Sequence, residues 1–429
     1  MKKIISGCLA FTCLLSADIN YNTFFSLLQS KPNNEWIDQL NSWGVLSNPI
    51  NRNFKSDAFQ LPLAKQYPGI KQLPHITLFE GFTPIYKLEK LGAELQIPSF
   101  YLKHDGFTDG KRYTGNKRRK LEFELAQALA YGARCVITFG CAGSNHAVAT
   151  SEYAKILDLE CICMLKPQAN SHVARKNLLL HQTNNSHLFY YPNNEIRKAA
   201  TICKWIEYKN TYGDYPYIIP TGASTPLATV SYVNAIFELH DQIKAGLLPE
   251  PDYIYVPCGS AATTAGLLLG CKATGLKSKI MAIATEPDEE PNGFKKAITH
   301  LFYATNTLLH EYDATFPLFV LNENDLEINL NYTGPDYAVF TPECIEARTL
   351  LKEYETIKID GTYTAKAFAG LIADARANII NDAVILFWDT YCDYDFQERL
   401  ATVDYKKLPV CFHEYFENDV QELDRFLGV

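Results

Sequence analysis

Between residues 99 and 389, short runs of consecutive apolar residues alternate with longer amphipathic stretches. The runs are "SFYLKHD" (99–105), "CVITFG" (135–140), "CICML" (161–165), "YIIPTG" (217–222), "YIYVPCG" (253–259), "IMAIATEP" (280–287) and "AVILFWD" (383–389). Each is too short for a helix and carries no polar alternation, so each predicts a strand covered on both faces. Between them, "KLEFELAQALAYGA" (120–133) sets Leu121, Leu125, Ala128 and Leu129 on one helical face and stops at Gly132. "GSNHAVATSEYAKIL" (143–157) opens on helix-capping residues. Strand, turn and helix in repetition predict an α/β protein with mostly parallel, helix-covered sheets. Several runs lead into Gly, Ser, Thr or Asn, and open parallel sheets bind ligands beyond the carboxyl ends of their strands. The first sixty residues lack this order and read as an extension.

Composition narrows the class. With 429 residues, 47% of them apolar, the chain buries a sizeable core and is expected to form two lobes. The expected division is an extension over 1–60, a large domain from 61–119 plus 220–429, and a small domain over 120–219. A net charge of -8 argues against a general polyanion binder, so no nucleic-acid partner is expected. "MKKIISGCLAFTCLLSAD" reads equally as a secretory signal ending at residue 17 or as a plain hydrophobic helix, which leaves an exported and a cytoplasmic protein both open. No other segment approaches the ~18 apolar residues of a membrane span. The twelve cysteines show no paired Cys-x-x-Cys spacing, so they are expected as reduced thiols, not as a metal site. Cys135, Cys161, Cys163, Cys258 and Cys411 lie in or beside apolar stretches.

Five stretches carry candidate chemistry, each with a plain structural reading beside it. "VPCGSAATTAGLLLG" (256–270) runs from a strand through a hydroxyl-rich turn into a helix, and its exposed amides with Ser260, Thr263 and Thr264 would cradle a phosphate. It matches neither a Walker loop nor a dinucleotide fingerprint, and tight strand–helix packing is the alternative. In "FGCAGSNHAVAT" (139–150), Ser144 or Asn145 caps a helix or meets a carboxylate. Six of the ten residues from Lys111 to Lys120 are basic. Arg118, Arg119 and Lys120 read as solvated cations at a helix start. Lys117, on the loop just before the helix, is placed to bond an aldehyde cofactor if burial and nearby cations keep its amine partly unprotonated. Tyr337 and Tyr363 fall in late turns, where surface tyrosines are common.

In their order, "GNKRRKLEFELAQALAYGA", "GSNHA", "IPTGAS", "CGSAATTAGLLLG", "TGPDYAVF" and "YTAKAFAGLI" resemble the D-cysteine desulfhydrase and 1-aminocyclopropane-1-carboxylate (ACC) deaminase family. These are pyridoxal-phosphate enzymes of the tryptophan synthase β-like fold, and the resemblance runs from about residue 70 to 400. It implies Lys117 as the Schiff-base lysine, with Asn116 and Asn145 beside the cofactor ring. The turn of Ser260, Ala261, Ala262, Thr263 and Thr264 would hold the phosphate, and Thr390 would face the pyridine nitrogen. Ser144, Asn145 and His146 would meet the substrate carboxylate, with Tyr337 and Tyr363 opposite as acid–base or positioning groups. The deaminase branch has Glu in the place of Thr364 and no Thr in the place of Thr390. The resemblance therefore implies β-elimination from a small D-amino acid, D-cysteine above all, by a homodimer. ACC deamination, or an inactive ligand-binding relative, stands as the alternative. Tyr391 and Cys392 replace the family's two glycines after Thr390, and a bulky Tyr391 is expected to narrow the pocket.

Overall fold

The computed structural model describes residues 26–27, 34–51, 53–107, 112–113 and 115–425, so the candidate signal segment 1–17 lies outside the described residues. The strands are β1 (Ile85–Lys87), β2 (Ser99–His104), β3 (Cys135–Cys141), β4 (Glu160–Lys166), β5 (His187–Tyr190), β6 (Tyr217–Ile219), β7 (Tyr253–Cys258), β8 (Lys279–Ala284), β9 (Glu327–Asn329) and β10 (Val384–Asp389). They form a six-stranded sheet in the order β1-β2-β10-β7-β8-β9 and a four-stranded sheet in the order β5-β4-β3-β6. Only the β1–β2 pair is antiparallel; the other pairs run parallel.

All seven apolar runs become strands; six are inner strands, and the seventh, β6, is an edge that pairs with β3. The pattern missed β1, β5 and β9, each of which closes one edge of a sheet. Edge strands stay partly open to water, so they carry no continuous apolar run, and all three are largely half-buried or exposed.

The described part of the N-terminal extension packs against the small sheet. Helix Glu35–Ser47 sends Trp36, Ile37 and Leu40 into the core that holds Ile137, Phe139 and Ile218. Its Asn41 side chain donates to the Ile218 carbonyl and accepts from the Ile218 amide, both at 2.8 Å. Asn48 does the same to Tyr215, at 2.9 and 2.8 Å. These two amides stand in for a further strand and satisfy the open edge at β6. At the other terminus, Phe396, Leu408, Phe412 and Tyr415 join the core around Leu121, Ala147 and Leu178.

The basic run departs from the sequence reading. Helix Lys117–Ala130 begins at Lys117 itself. Arg118, Arg119 and Lys120 are not solvated: they are 2%, 6% and 1% exposed. The helix lies between two cores, with Leu121, Leu125 and Ala128 in one and Phe123 in the other, so its first turn has no solvent face. Arg118 lies 4.0 Å over the Phe79 ring. Arg119 donates to Asp105 (2.6 Å) and to Thr83 (3.0 Å) and pairs with Glu238 (2.9 Å). Lys103 pairs with the same Glu238 at 2.8 Å and donates to Gln242. Burial alone would raise the Glu238 carboxyl, but Arg119 and Lys103 hold it well below the usual carboxylate range. The cysteine expectation also needs one correction, because Cys411 is exposed.

One buried pair sets a pH dependence. His75 Nδ1 hydrogen-bonds Asp57, and its Nε2 lies 3.8 Å from Glu122. Burial opposes its charge, but the two carboxylates win and lift it from 6.5 to about 9. A raised folded-state value means that this stabilisation is complete below pH 6.5 and is lost as pH rises to about 9. Unfolding midpoints in urea should therefore fall across that window by the equivalent of about 2 kcal/mol. The fall should be absent in His75→Gln; an equal fall in that variant would assign it to other groups.

Candidate active site

The ends of β3, β7 and β10 and three helix starts converge on a cavity of ≈ 220 Å³. β10 ends at Asp389, and the next residue, Thr390, accepts the Asn116 amide through its carbonyl at 3.2 Å. That bond brings the start of helix Lys117–Ala130 under the end of β10. Gly115, with φ +55, makes the preceding bend. After β3, Ser144 caps helix Asn145–Ile156 by accepting the Ala147 amide at 3.2 Å. After β7, the chain turns through Gly259 and Ser260 into helix Ala262–Thr274.

Lys117, Asn116, Ser144, Asn145 and His146 all line the cavity. So do Ser260, Ala261, Thr263, Thr264, Tyr337, Tyr363 and Thr390. Ala262 does not: its side chain is packed in the core, and only its backbone takes part in the turn. Tyr391 also stays off the wall. Its hydroxyl accepts from Lys176 at 2.9 Å, and Cys392 is buried, so the bulk expected to narrow the pocket points elsewhere.

Lys117 Nζ donates to Asn116 Oδ1 at 2.9 Å and lies 6.0 Å from the centre of the Tyr363 ring. Burial pushes its ammonium down from 10.5 to about 8, against the attraction of Asp360 and Asp105. The Tyr337 and Tyr363 hydroxyls hydrogen-bond each other. Burial and each other's charge raise Tyr337 well above 10, and burial with Glu286 does the same for Tyr363, so both keep their protons. Burial, with Lys117 and Lys120 adding to it, pushes the His146 imidazole far down, leaving a neutral ring on Thr138 at 3.0 Å.

Three residues at this site have no role in the sequence reading. Asn145 Oδ1 accepts from the Tyr113 hydroxyl (2.6 Å) and from Asn177 Nδ2 (2.9 Å), which leaves the Asn145 NH₂ free to donate. Both partners are 32 positions away along the chain, so no local pattern announces them. Lys120 Nζ donates to the Gly222 carbonyl at 3.1 Å, and Gly222 lines the cavity against Ser260. Its i, i+3 spacing from Lys117 puts the two amines on one helix face, which is the signal that was available.

The turn at 260–264 is strained and tight. Ala261 has φ +69 and ψ -35, and the Ala262 amide donates back to the Ser260 carbonyl at 2.9 Å, a three-residue γ-turn. Such a conformation costs on the order of 1–3 kcal/mol in a residue with a Cβ, and strain of this kind gathers at ligand clamps. Gly222, with φ +67, presses on the turn so closely that a Cβ there would lie 2.1 Å from Ser260 Oγ.

The family model of the "Pyridoxal-phosphate dependent enzyme" matches residues 76–390, which contain every residue named above at the cavity. The chain belongs to the pyridoxal-phosphate-dependent enzymes. A putative 1-aminocyclopropane-1-carboxylate deaminase of Pyrococcus abyssi is 30% identical over 319 residues, 74% of this chain and 91% of that protein. A D-cysteine desulfhydrase of Yersinia pestis (strain Pestoides F) is 30% identical over 312 residues, 71% of this chain and 88% of that protein. The crystal structure of an ACC deaminase homologue superposes with a TM-score of 0.66 at 28% identity, covering 79% of this chain and 98% of that one. The fold is accordingly the tryptophan synthase β-like fold, and the chain is a pyridoxal-phosphate-dependent lyase.

The residues present fit the cofactor. Lys117 is the buried amine, lowered enough to react with an aldehyde. Among the described residues the buried Thr264 hydroxyl has no hydrogen-bond partner, and it sits beside a helix start whose first amides have none within the helix. An anion of phosphate size would satisfy both. Among the described residues, no helix is long and apolar enough to cross a membrane.

Proposed function

We propose that this enzyme catalyses β-elimination from a small D-amino acid, with D-cysteine the simplest substrate, giving pyruvate, ammonia and hydrogen sulfide. The observation that carries the reading is a pair of neutral hydroxyls. Thr390 lines the cavity, and the buried Thr364 lies behind it, the two Oγ1 atoms 3.1 Å apart. A carboxylate at either position would hold a proton on a pyridine nitrogen beside it; two hydroxyls do not. ACC deamination is the second reading, supported by the first relative above.

Bound here, pyridoxal phosphate would supply an electron sink for the pair left when Cα loses its proton. Lys117 would remove that proton, its amine being half neutral near pH 8. Ser144 and the start of helix Asn145–Ile156 would fix the substrate carboxylate by hydrogen bonds and dipole. The neutral His146 ring adds no charge there. Tyr337 and Tyr363, both holding their protons, would place a donor at the leaving sulfur. The turn Ser260–Thr264, with Lys120 beneath it, would hold the phosphate, and the Asn145 NH₂ would donate to the ring oxygen. The family resemblance adds a homodimer to this proposal, which sedimentation would check.

Sulfide release from D-cysteine, with no 2-oxobutanoate from ACC, is the expected result; the reverse would replace this reading by the second one. Thr364→Glu should lower D-cysteine turnover about tenfold or more by recharging the ring nitrogen. Unchanged turnover in that variant would remove the hydroxyl pair as the deciding feature.

A further inference from the structure

The D-cysteine reading gives no role to part of the cavity lining. The wall beyond the tyrosine pair carries four ionisable side chains: Lys166, Arg197, Glu286 and Glu289. Lys166 is the last residue of β4, and Arg197 lies in the first turn of helix Asn194–Tyr212, both on the side of the small sheet. Glu286 and Glu289 follow β8, on the side of the large sheet. The two signs therefore come from opposite sides of one cavity.

The four groups are within electrostatic reach of one another. Lys166 and Arg197 both act on the Cys141 thiol at the end of β3, as does Glu286. Glu286, whose carboxyl burial raises, also feels Glu289 and Lys166. Yet none of the four is ion-paired with any described residue. The half-buried Arg197 guanidinium bonds only the Gly140 carbonyl (3.2 Å) and Asn194 Oδ1 (3.0 Å) among the described residues, over the Phe139 ring at 5.2 Å. Lys166, Arg197 and Glu286 are half-buried and Glu289 is exposed; half-buried charges without a counter-ion are costly, and a wall built only for stability would pair them. Held apart in a substrate cavity, two cations and two carboxylates match a ligand that carries one group of each sign.

We infer that the site takes a β-thioether amino acid whose leaving group is itself an amino acid, with its distal carboxylate at Lys166 and Arg197 and its distal ammonium at Glu286 and Glu289. The inference rests on the β-elimination reading and narrows its substrate class. In the step, the Cα–H bond breaks and its electron pair becomes the Cα=Cβ bond. The Cβ–S bond breaks with its pair on sulfur, and the thiolate takes up one proton. The enamine left behind tautomerises and takes up one water, giving pyruvate and ammonia. For lanthionine, the thioether of two alanines, the sum is lanthionine plus water to pyruvate, ammonia and cysteine. No oxidant or reductant enters.

The test compares meso-lanthionine with D-cysteine on the holoenzyme, by pyruvate formation. The wild type should show a kcat/KM for lanthionine at least tenfold above that for D-cysteine. Arg197→Met and Glu286→Gln should each lower that ratio at least tenfold, with Lys166→Met as the second cation variant should Arg197→Met fail to fold. A wild type that prefers D-cysteine, or variants that slow both substrates by the same factor, would overturn the inference; the latter would make the four charges a latch across the cleft. A second readout does not need turnover. Diaminopimelate, with a methylene in place of the sulfur, cannot release a thiolate, and calorimetry should show it binding at least tenfold tighter than D-alanine, the difference vanishing in Arg197→Met. If neither D-cysteine nor lanthionine yields pyruvate, the β-elimination reading fails. Diaminopimelate then still decides the wall, and equal binding of the two ligands overturns it.

Discussion

Lys117→Ala is expected to lower turnover on the order of 10³-fold and to abolish covalent retention of pyridoxal phosphate. Borohydride treatment of the wild type should leave a cofactor-sized mass on the peptide containing Lys117; the same treatment of the variant should leave none. The expectation rests on position. Lys117 is the buried amine that lines the cavity between Asn116 and the Tyr363 ring. Lys120, the other buried amine on that helix face, is held by the Gly222 carbonyl and pushed still further down, by burial first and then by Lys117. Retained labelling in Lys117→Ala would transfer the role to Lys120. The lowered value of Lys117 also fixes a pH dependence. Only the neutral amine attacks an aldehyde, so cofactor uptake should quicken as pH rises to about 8 and level off above it. An uptake rate flat from about pH 6 to 9 would contradict the assigned burial of this amine.

Glu238→Gln should destabilise the fold by about 3–5 kcal/mol, the largest stability loss expected from any single change outside the cavity. Glu238 neutralises two buried cations, Arg119 and Lys103, and it also accepts the Thr83 amide and hydroxyl at 2.8 and 2.9 Å. An amide keeps the shape but leaves both cations without their shared counter-charge. The damage should reach the active site, because Asp105 accepts from both Arg119 and the Tyr232 hydroxyl, and Tyr232 donates on to the Asn116 carbonyl (3.1 Å). That chain of bonds holds the backbone next to Lys117. Urea unfolding measures the first effect, and the cofactor dissociation constant measures the second. Replacing Lys103 by Met together with Glu238 by Leu should cost less than Glu238→Gln, since one cation leaves with its partner and Arg119 keeps Asp105. A Glu238→Gln loss below about 1 kcal/mol would mean that water or an anion shares this network.

Much of the site was legible before the tertiary structure. The turns after β3 and β7 are rich in Gly, Ser, Thr and Asn because backbone must approach a ligand there, and that composition survives in the bare sequence. Ser144, Asn145 and the turn from Ser260 to Thr264 are read this way, whereas Lys117 is read from the basic run and Thr390 from the family resemblance. The turn's positive φ falls on Ala261, and Ala262 turns its side chain into the core, details that the composition of the turn does not announce. Tyr391 was misjudged because a side chain's direction after a strand end depends on its partner, here Lys176 from a distant helix.

The sequence by itself determined the inner strands and the class of fold and singled out Lys117 as a candidate, since strands covered on both faces must be apolar throughout and ligand turns must be small. Only the tertiary structure decided which charges are buried. A run such as Arg118, Arg119 and Lys120 reads as a wet helix face until Glu238 is seen, 135 positions from Lys103 in the same network. Edge strands, the Asn41 and Asn48 amides at β6, the partners of Asn145, and the opposed charges at Lys166, Arg197, Glu286 and Glu289 share that origin. Each depends on a counterpart supplied from far along the chain, and local pattern carries no information about such partners.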